Sequence, residues 1–223
     1  MSGTLGQCSR SLLFVPAVAE RKIDKALASN ADAIIVDLED SVVPAAKDDA
    51  RAIVVRLLGR ERRLPIIVRL NAADTIWHLR DIAAIGPLGA DAFMLPKCGG
   101  RADVARLCAQ LAVLEVQTGA RSRAEIIPLV TETAASLGAM DYRDASDRLT
   151  ALAFAGEDLS ADLGVAARDE AGMNPLLADA RRAVAIAASA AGVAAIDTPF
   201  PNPRDGDGLA REAAEAARLG FAG

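Results

Sequence analysis

Short apolar runs alternate along the chain with longer segments of mixed polarity. The runs cover residues 11–17, 31–40, 64–71, 90–97, 125–132, 149–158 and 193–200. Each is nearly continuous in Val, Ile, Leu and Ala, which is typical of strands that are buried on both faces of a parallel sheet. The pattern therefore predicts seven strands of such a sheet.

The segments between the runs have the apolar spacing of helices. The clearest cover residues 20–30, 46–59, 101–119 and 175–192, and a last one covers 209–220. Left-handed helix ends are expected at Asn30, Gly59, Gly119 and Gly192. The resulting (β/α) repeat is α/β in class, and fits either an open doubly wound sheet or a barrel without the last of its eight strands.

No linker rich in Pro, Gly or Ser divides the chain, so residues 1–223 are expected to form a single domain. The chain is 52% hydrophobic and 25% charged, with a formal net charge of -5. That balance argues against nucleic acid or an anionic membrane as the main partner and favours small molecules.

Three cysteines without a C-x-x-C pair indicate neither a disulfide framework nor a thiolate zinc site. The first residues lack the charged leader and long apolar core of a secretory signal, and no apolar stretch approaches the length of a membrane span. We therefore predict a cytoplasmic protein with no membrane partner.

Polar side chains cluster where the apolar runs end. Because ligands of parallel β/α folds bind at the carboxyl ends of the strands, these side chains are the first candidates for a site. The set is acidic, with one Arg and one Lys, and it contains no Ser-His or Cys-His pair. Its members are Asp37, Glu39, Asp40, Arg69, Asn71, Lys97, Glu132, Glu157 and Asp158.

Glu132 and Asp158 end neighbouring runs and are expected side by side. Two carboxylates with open water positions suit Mg²⁺, to which a substrate supplies further oxygens. The alternative is that each caps the N-terminus of the following helix.

Arg69 can clamp a substrate carboxylate with its planar fork, or pair with Asp37 or Glu39 of the preceding strand, and the two roles can coexist. Lys97 has two candidate roles: it can form a Schiff base with a substrate, or it can supply only positive charge. The second role fits the acidic rim better. His78 is expected to be packed or exposed without a catalytic role.

The basic residues Arg21, Lys22 and Lys25 follow the first run, near the same rim. They form either a solvated helix face or an anchor for the phosphates of a cofactor.

Six stretches occur in the order and with the residues of a known family. They are RSLLFVPA, AIIVDLEDSV, VRLN, MLPK, IIPLVTETA and GEDLSADLG. With them, the chain resembles the citrate lyase β-subunit family of citryl-thioester lyases, which is related to the malyl-CoA lyases. The resemblance covers essentially the whole chain.

The resemblance implies a TIM-type (β/α) barrel that binds Mg²⁺ and cleaves a citryl- or malyl-type 3-hydroxyacyl thioester to a keto acid such as oxaloacetate and an acetyl thioester. It implies that Glu132 and Asp158 hold the metal and that Arg69 holds the keto-acid carboxylate. Lys97 and Asp37 are expected to complete the substrate site. Gly156 is expected to let the backbone turn at the rim, and Glu157 and Asp162 to serve the surroundings of the metal or the next helix.

The thioester carrier is CoA or a carrier protein, with Lys22 and Lys25 as the expected cofactor contacts. Compared with the family pattern, the eighth strand and the segment beyond it are missing, and an unclosed barrel exposes strand edges that favour a homo-oligomer. The resemblance suggests a trimer or a hexamer. Two other functions stay open: a class I aldolase that uses Lys97, and a binding or regulatory homologue without turnover.

Overall fold

The computed structural model describes residues 4–120, 123–169 and 172–223. The strands are β1 (Leu12–Pro16), β2 (Ala33–Asp37), β3 (Ile66–Arg69), β4 (Ala92–Leu95), β5 (Glu125–Pro128), β6 (Ala151–Ala153), β7 (Arg168–Asp169), β8 (Gly172–Met173) and β9 (Ala194–Ile196). The helices are α1 (Leu5–Cys8), α2 (Glu20–Leu27), α3 (Lys47–Leu58), α4 (Ile76–Ile85), α5 (Arg101–Thr118), α6 (Ala134–Leu137), α7 (Gly156–Leu163), α8 (Pro175–Ala191) and α9 (Gly206–Leu219).

The strands predicted from the apolar runs lie parallel and side by side in chain order. β1 to β5 form one continuous sheet, and β6 pairs with β9. Single parallel bridges, Ile126 to Leu149 and Leu129 to Ala153, join the β5 and β6 segments. A doubly wound sheet would reverse its order at a switch point. The consecutive order therefore supports the barrel type over the open sheet.

The barrel is not closed within the described residues, as predicted. β1 pairs only with β2 in this part of the chain. On the other side, the Ala222 amide donates to the Ala195 carbonyl at 2.8 Å and the Gly223 carbonyl accepts from the Asp197 amide at 2.7 Å. Residues 222 and 223 thus lie along the free edge of β9, where an eighth strand would pair.

Both faces of the sheet are buried, which explains why the runs are apolar without alternation. Along β2, Ile34 belongs to the core between sheet and helices, and Ile35 belongs to the core inside the barrel. Ile66 and Ile67 divide in the same way on β3. Burying each such side chain contributes roughly 1.5 to 3 kcal/mol, so the two cores hold the strand ends in a fixed arrangement.

Some element boundaries differ from the prediction. Only three residues of the run 149–158 form a strand, β6, and Gly156, Glu157 and Asp158 already belong to α7. Acidic residues in a first turn favour a helix, since they face its positive N-terminal dipole. The hairpin of β7 and β8 was not predicted, because strands this short leave no apolar run.

The predicted left-handed helix ends are confirmed at two positions. Gly119 has φ 68° and Gly192 has φ 70°. Gly59 ends α3 with φ −79°, and α2 stops at Leu27, before Asn30. None of the described helices combines the length and hydropathy needed to cross a membrane.

Candidate active site

The carboxyl ends of the strands bring most of the predicted polar side chains to one rim. Asp37 ends β2 and Arg69 ends β3, in register with each other. Lys97 lies two residues beyond β4, and Glu132 lies four residues beyond β5. Asp158 lies in the first turn of α7, which follows β6. The predicted rim is therefore where side chains from five successive β/α units meet.

Arg69 is bound to Asp37 through both arms of its fork. Its Nε donates to Asp37 Oδ1 at 2.7 Å and its Nη2 donates to Asp37 Oδ2 at 2.8 Å. Burial alone would raise the pKa of Asp37, but the hydrogen bonds and charge of Arg69 lower it. The Nη1 of Arg69 lies 3.3 Å from Glu39 and 3.5 Å from Asp40. Asp37 uses only two of the five N–H groups of the guanidinium, so the pairing with Asp37 leaves donors of Nη1 and Nη2 for a substrate carboxylate.

Lys97 connects the two acidic sides of the rim. Its backbone has φ 48°, in the left-handed region that non-glycine residues rarely adopt. In this conformation its amide donates to Glu132 Oε2, and its Nζ contacts Glu39 Oε1.

Burial alone would lower the pKa of Lys97, but the hydrogen bond to Glu39 and the nearby acidic charges raise it. A Schiff base needs a neutral amine. The ionic role predicted for Lys97 is the one that this geometry supports.

Glu132 carries a carboxylate that the protein only partly satisfies. Its residue is 4% exposed, and burial raises its pKa to about 7, with a further contribution from the charges of Glu39 and Asp158. Its Oε1 is buried and has no hydrogen-bond partner in the part of the chain that the structure describes. A buried oxygen of this kind is expected to meet a ligand or an ion.

Three carboxylates form a compact group at this point of the rim. Glu39, Asp40 and Glu132 each offer an oxygen, and these oxygens lie within 4.8 Å of one another. Asp158 is not a member of this group among the described residues. Burial raises the pKa of Asp158, as does the charge of Asp40. The donor set is all carboxylate oxygen, which suits Mg²⁺ and offers no ligand that a soft metal prefers.

Two threonines fix the start of α7, and the sequence analysis did not single them out. The Ala155 amide donates to Thr131 Oγ1 at 2.8 Å, and the Gly156 amide donates to Thr198 Oγ1 at 3.0 Å. Both threonines follow the apolar part of a run, so the position was visible in the sequence, but their partners were not. These bonds set the position of Asp158 relative to β5 and β9.

Gly156 lies at a tight contact where α7 begins. It has no positive φ. A Cβ at this position would lie 3.1 Å from Phe154 Cε1 and 3.3 Å from Thr198 Oγ1. The close approach of α7 to the Phe154 ring is therefore the reason for glycine here.

We expect Gly156→Ala to lower the free energy of unfolding by about 1 to 2 kcal/mol, because the added methyl group overpacks a buried contact. Urea unfolding measures this change. Gly138→Ala is the matched control, since its Cβ would meet only the Ala135 carbonyl, at 3.5 Å. Equal losses in the two variants would contradict the packing explanation.

The other acidic residues of the GEDLSADL segment have contacts of their own. Glu157 contacts the Arg168 guanidinium, and Asp162 Oδ2 accepts from the Ala134 amide at 2.7 Å at the start of α6. This agrees with the expectation that both residues support the surroundings of the site.

His78 and Asn71 are directed into the protein. His78 is 2% exposed, and its Nδ1 lies 2.8 Å from the Asn71 carbonyl oxygen, which confirms packing. The Asn71 side-chain amide donates to the buried Asp81 at 2.7 Å. Asn71, although it follows β3, is therefore a support of that strand end and not part of the rim.

Lys22 and Lys25 are exposed on α2, which begins just after β1. Neither forms an ion pair within the described residues. Glu20, in the first turn of the same helix, pairs with Arg56 and Arg60 of the neighbouring α3 region. The two lysines thus leave their charge available to an anionic group.

Comparison with known proteins identifies a family that matches most of the chain. The family model described as HpcH/HpaI aldolase/citrate lyase matches residues 10–223. The chain is 33% identical to the citrate lyase subunit beta of Escherichia coli over 219 residues, which is 96% of this chain and 71% of that protein. It is 32% identical to a (3S)-malyl-CoA thioesterase of Cereibacter sphaeroides over 230 residues, with the same shares covered.

A solved structure shares the fold. The citrate lyase beta subunit from M. tuberculosis, complexed with oxaloacetate and magnesium, superposes with a TM-score of 0.78 at 31% identity. The match covers 96% of this chain and 89% of that one.

Proposed function

Because this chain belongs to the HpcH/HpaI aldolase/citrate lyase family, we propose that it is a Mg²⁺-dependent carbon-carbon lyase. The proposed substrate is a citryl- or malyl-type 3-hydroxyacyl thioester, which is cleaved to an α-keto acid such as oxaloacetate and an acetyl thioester, or formed from them. The related E. coli and M. tuberculosis proteins are citrate lyase β subunits, and the M. tuberculosis structure holds oxaloacetate and magnesium.

The observation that carries the proposal is the unpartnered Oε1 of Glu132 inside a group of carboxylates. Arg69 and Lys97 face a larger number of acidic side chains at this rim, so the site has an excess of negative charge. A divalent cation would balance that charge. We propose that Glu132 and Asp158 hold it, because burial and neighbouring acids make both carboxylates unfavourable as free anions.

Bound Mg²⁺ would act as a Lewis acid that stabilises the charge developing on the keto-acid oxygens. The protein side chains would supply orientation. Arg69 Nη1 would hold the carboxylate of the keto acid, while Asp37 keeps the guanidinium fixed through the two other nitrogens. Lys97 would neutralise Glu39 and, through its amide, hold Glu132 in place.

On the thioester side, we propose that Lys22 and Lys25 contact the phosphates of CoA or of a carrier protein's prosthetic group. The support is their exposure on α2, the helix that follows the carboxyl end of β1, and their freedom from ion pairs in the described part of the chain. The name of the malyl-CoA thioesterase favours CoA for that relative. The homo-oligomer and the cytoplasmic location stay predictions.

Calorimetric titration of oxaloacetate tests the proposed site. We expect binding in the presence of Mg²⁺ and none in EDTA, because the keto acid completes the coordination of the metal. Citryl-CoA and malyl-CoA cleavage would then be assayed under the same two conditions. Oxaloacetate binding of equal strength in EDTA would contradict a metal-centred site.

A further inference from the structure

The loop between β2 and α3 brings Glu39 and Asp40 to the rim, and Lys47 contacts this loop from within the protein. Lys47 is the first residue of α3 and is 6% exposed. Its Nζ donates to the carbonyl oxygens of Leu38 and Glu39, both at 2.7 Å. One buried side chain therefore holds two consecutive carbonyl groups of the loop.

The ammonium group of Lys47 has an unusual environment. A buried lysine normally pairs with a carboxylate, but no acidic oxygen of the described residues lies within ion-pair distance of its Nζ. The two carbonyl groups and the ring of Trp77, whose centroid is 5.4 Å from Nζ, are its neighbours instead. The loop backbone and the Trp77 ring are thus its direct contacts, while the charges of Asp37, Glu39 and Asp81 act on it from beyond ion-pair distance.

The same loop is held from its other side by Asp37. Asp37 Oδ1 accepts from the Glu39 amide at 2.8 Å, and its Oδ2 accepts from the Ser41 amide at 3.1 Å. Asp37 therefore binds the N–H groups of the loop, and Lys47 binds its carbonyl groups. With the N–H groups and the carbonyl groups of the loop both bound, the side chain of Glu39 is directed at Lys97 and Arg69.

We propose that Lys47 is a positioning residue for the acidic rim: it fixes the backbone of residues 38–40, and through it the carboxylates of Glu39 and Asp40 beside the ion. This inference rests on the proposed function for its effect on ligand binding, while its effect on the loop is independent of any ligand. Lys47 itself does not reach the reacting atoms.

The test compares Lys47→Met with Arg148→Met. Arg148 is a similarly buried cation, 4% exposed, but it precedes β6 at the opposite edge of the sheet and pairs with Glu115. Both variants lose a buried cation and should be destabilised. In the metal-free protein, hydrogen exchange of the amides of residues 38–42 should become at least roughly tenfold faster in Lys47→Met only, because two loop carbonyls lose their partner.

The second measurement is the affinity for Mg²⁺ with oxaloacetate. We expect it to fall roughly 10- to 100-fold in Lys47→Met, as for other residues that orient the groups around a metal, and to stay unchanged in Arg148→Met. Should Lys47→Met not fold, Lys47→Gln replaces it, because Gln also lacks the charge but keeps one donor.

The proposal is overturned if the amides of the loop exchange in Lys47→Met at the rate of the wild type. It is also overturned if these amides exchange faster but Lys47→Met binds Mg²⁺ and oxaloacetate with the affinity of the wild type. If the wild type binds neither Mg²⁺ nor oxaloacetate, the proposed function fails. The exchange comparison then still decides the role of Lys47, with faster exchange in Lys47→Met alone supporting it.

Discussion

Glu132→Gln is expected to make the metal-free protein more stable and to weaken its binding of Mg²⁺ with oxaloacetate. The pKa of Glu132 is raised by burial from its ordinary value of 4.5 to about 7. Ionisation of this carboxylate therefore lowers the free energy of unfolding. The difference corresponds to about 3 kcal/mol at most. Gln removes the charge and keeps an oxygen that can accept from the Lys97 amide.

The pH dependence of this stability gain has a defined sign. Because the folded-state pKa lies above the unfolded-state value, ionised Glu132 destabilises the protein increasingly as the pH rises from 4.5 to about 7. The variant and the wild type should therefore unfold at similar temperatures near pH 4. At about pH 8 in EDTA the variant should unfold roughly 5 to 10 °C higher.

With Mg²⁺ and oxaloacetate the order should reverse. The wild type gains stability from the bound ligands, and the variant does not, because a neutral amide oxygen replaces an anionic one. We expect its affinity to fall roughly 100-fold. Glu115→Gln, in an ion pair with Arg148 away from the rim, is the control that should retain binding. A Glu132→Gln variant that binds as the wild type does would contradict the assignment of Glu132 to the metal.

Arg69→Met is expected to cause the largest loss of stability at the rim. Its side chain is 11% exposed and that of Asp37 is 3% exposed, so the substitution leaves a buried carboxylate without its charged partner. Losing one member of such a pair typically lowers the free energy of unfolding by about 3 to 5 kcal/mol. Oxaloacetate binding should be lost as well, because Arg69 Nη1 is the proposed contact of the keto-acid carboxylate.

The double variant Arg69→Met with Asp37→Asn separates these two effects. Asn removes the unpaired charge and can still accept from the Glu39 amide, so most of the stability should return. Oxaloacetate binding should not return. Urea unfolding and calorimetry measure the two outcomes. If the double variant is no more stable than the single one, the loss does not come from the unpaired Asp37.

Much of the fold could be predicted because the residue types of each strand directly reflect the burial of that strand. The centres of runs such as 31–40 and 64–71 are apolar at consecutive positions, 33–36 and 66–68, which is typical of a sheet buried on both faces. The acidic residues that follow them had to lie at one rim, because parallel strands share a carboxyl edge. The hairpin of β7 and β8 left no such pattern, so it was missed.

The pairings within the site were less predictable. Arg69 was expected to clamp a substrate carboxylate, to pair with Asp37 or Glu39, or to do both, and the register of β2 and β3 places Asp37 directly beside it. Gly156 was expected to let the backbone turn, and the ring of Phe154 also leaves little room for a Cβ at this position. Both outcomes depend on distances between segments, which the spacing of residues along the chain does not contain.

The sequence by itself thus determined the class of fold, the order of its β/α units and the acidic character of the rim, because these follow from hydropathy periodicity and from which residue types end each strand. Only the tertiary structure decided which partners share each charge: Asp37 with Arg69, Glu39 with Lys97, and the loop carbonyls with Lys47. The physical reason is that hydrogen bonds and ion pairs act over a few ångströms between residues far apart in the chain, so they exist only once packing has brought those residues together.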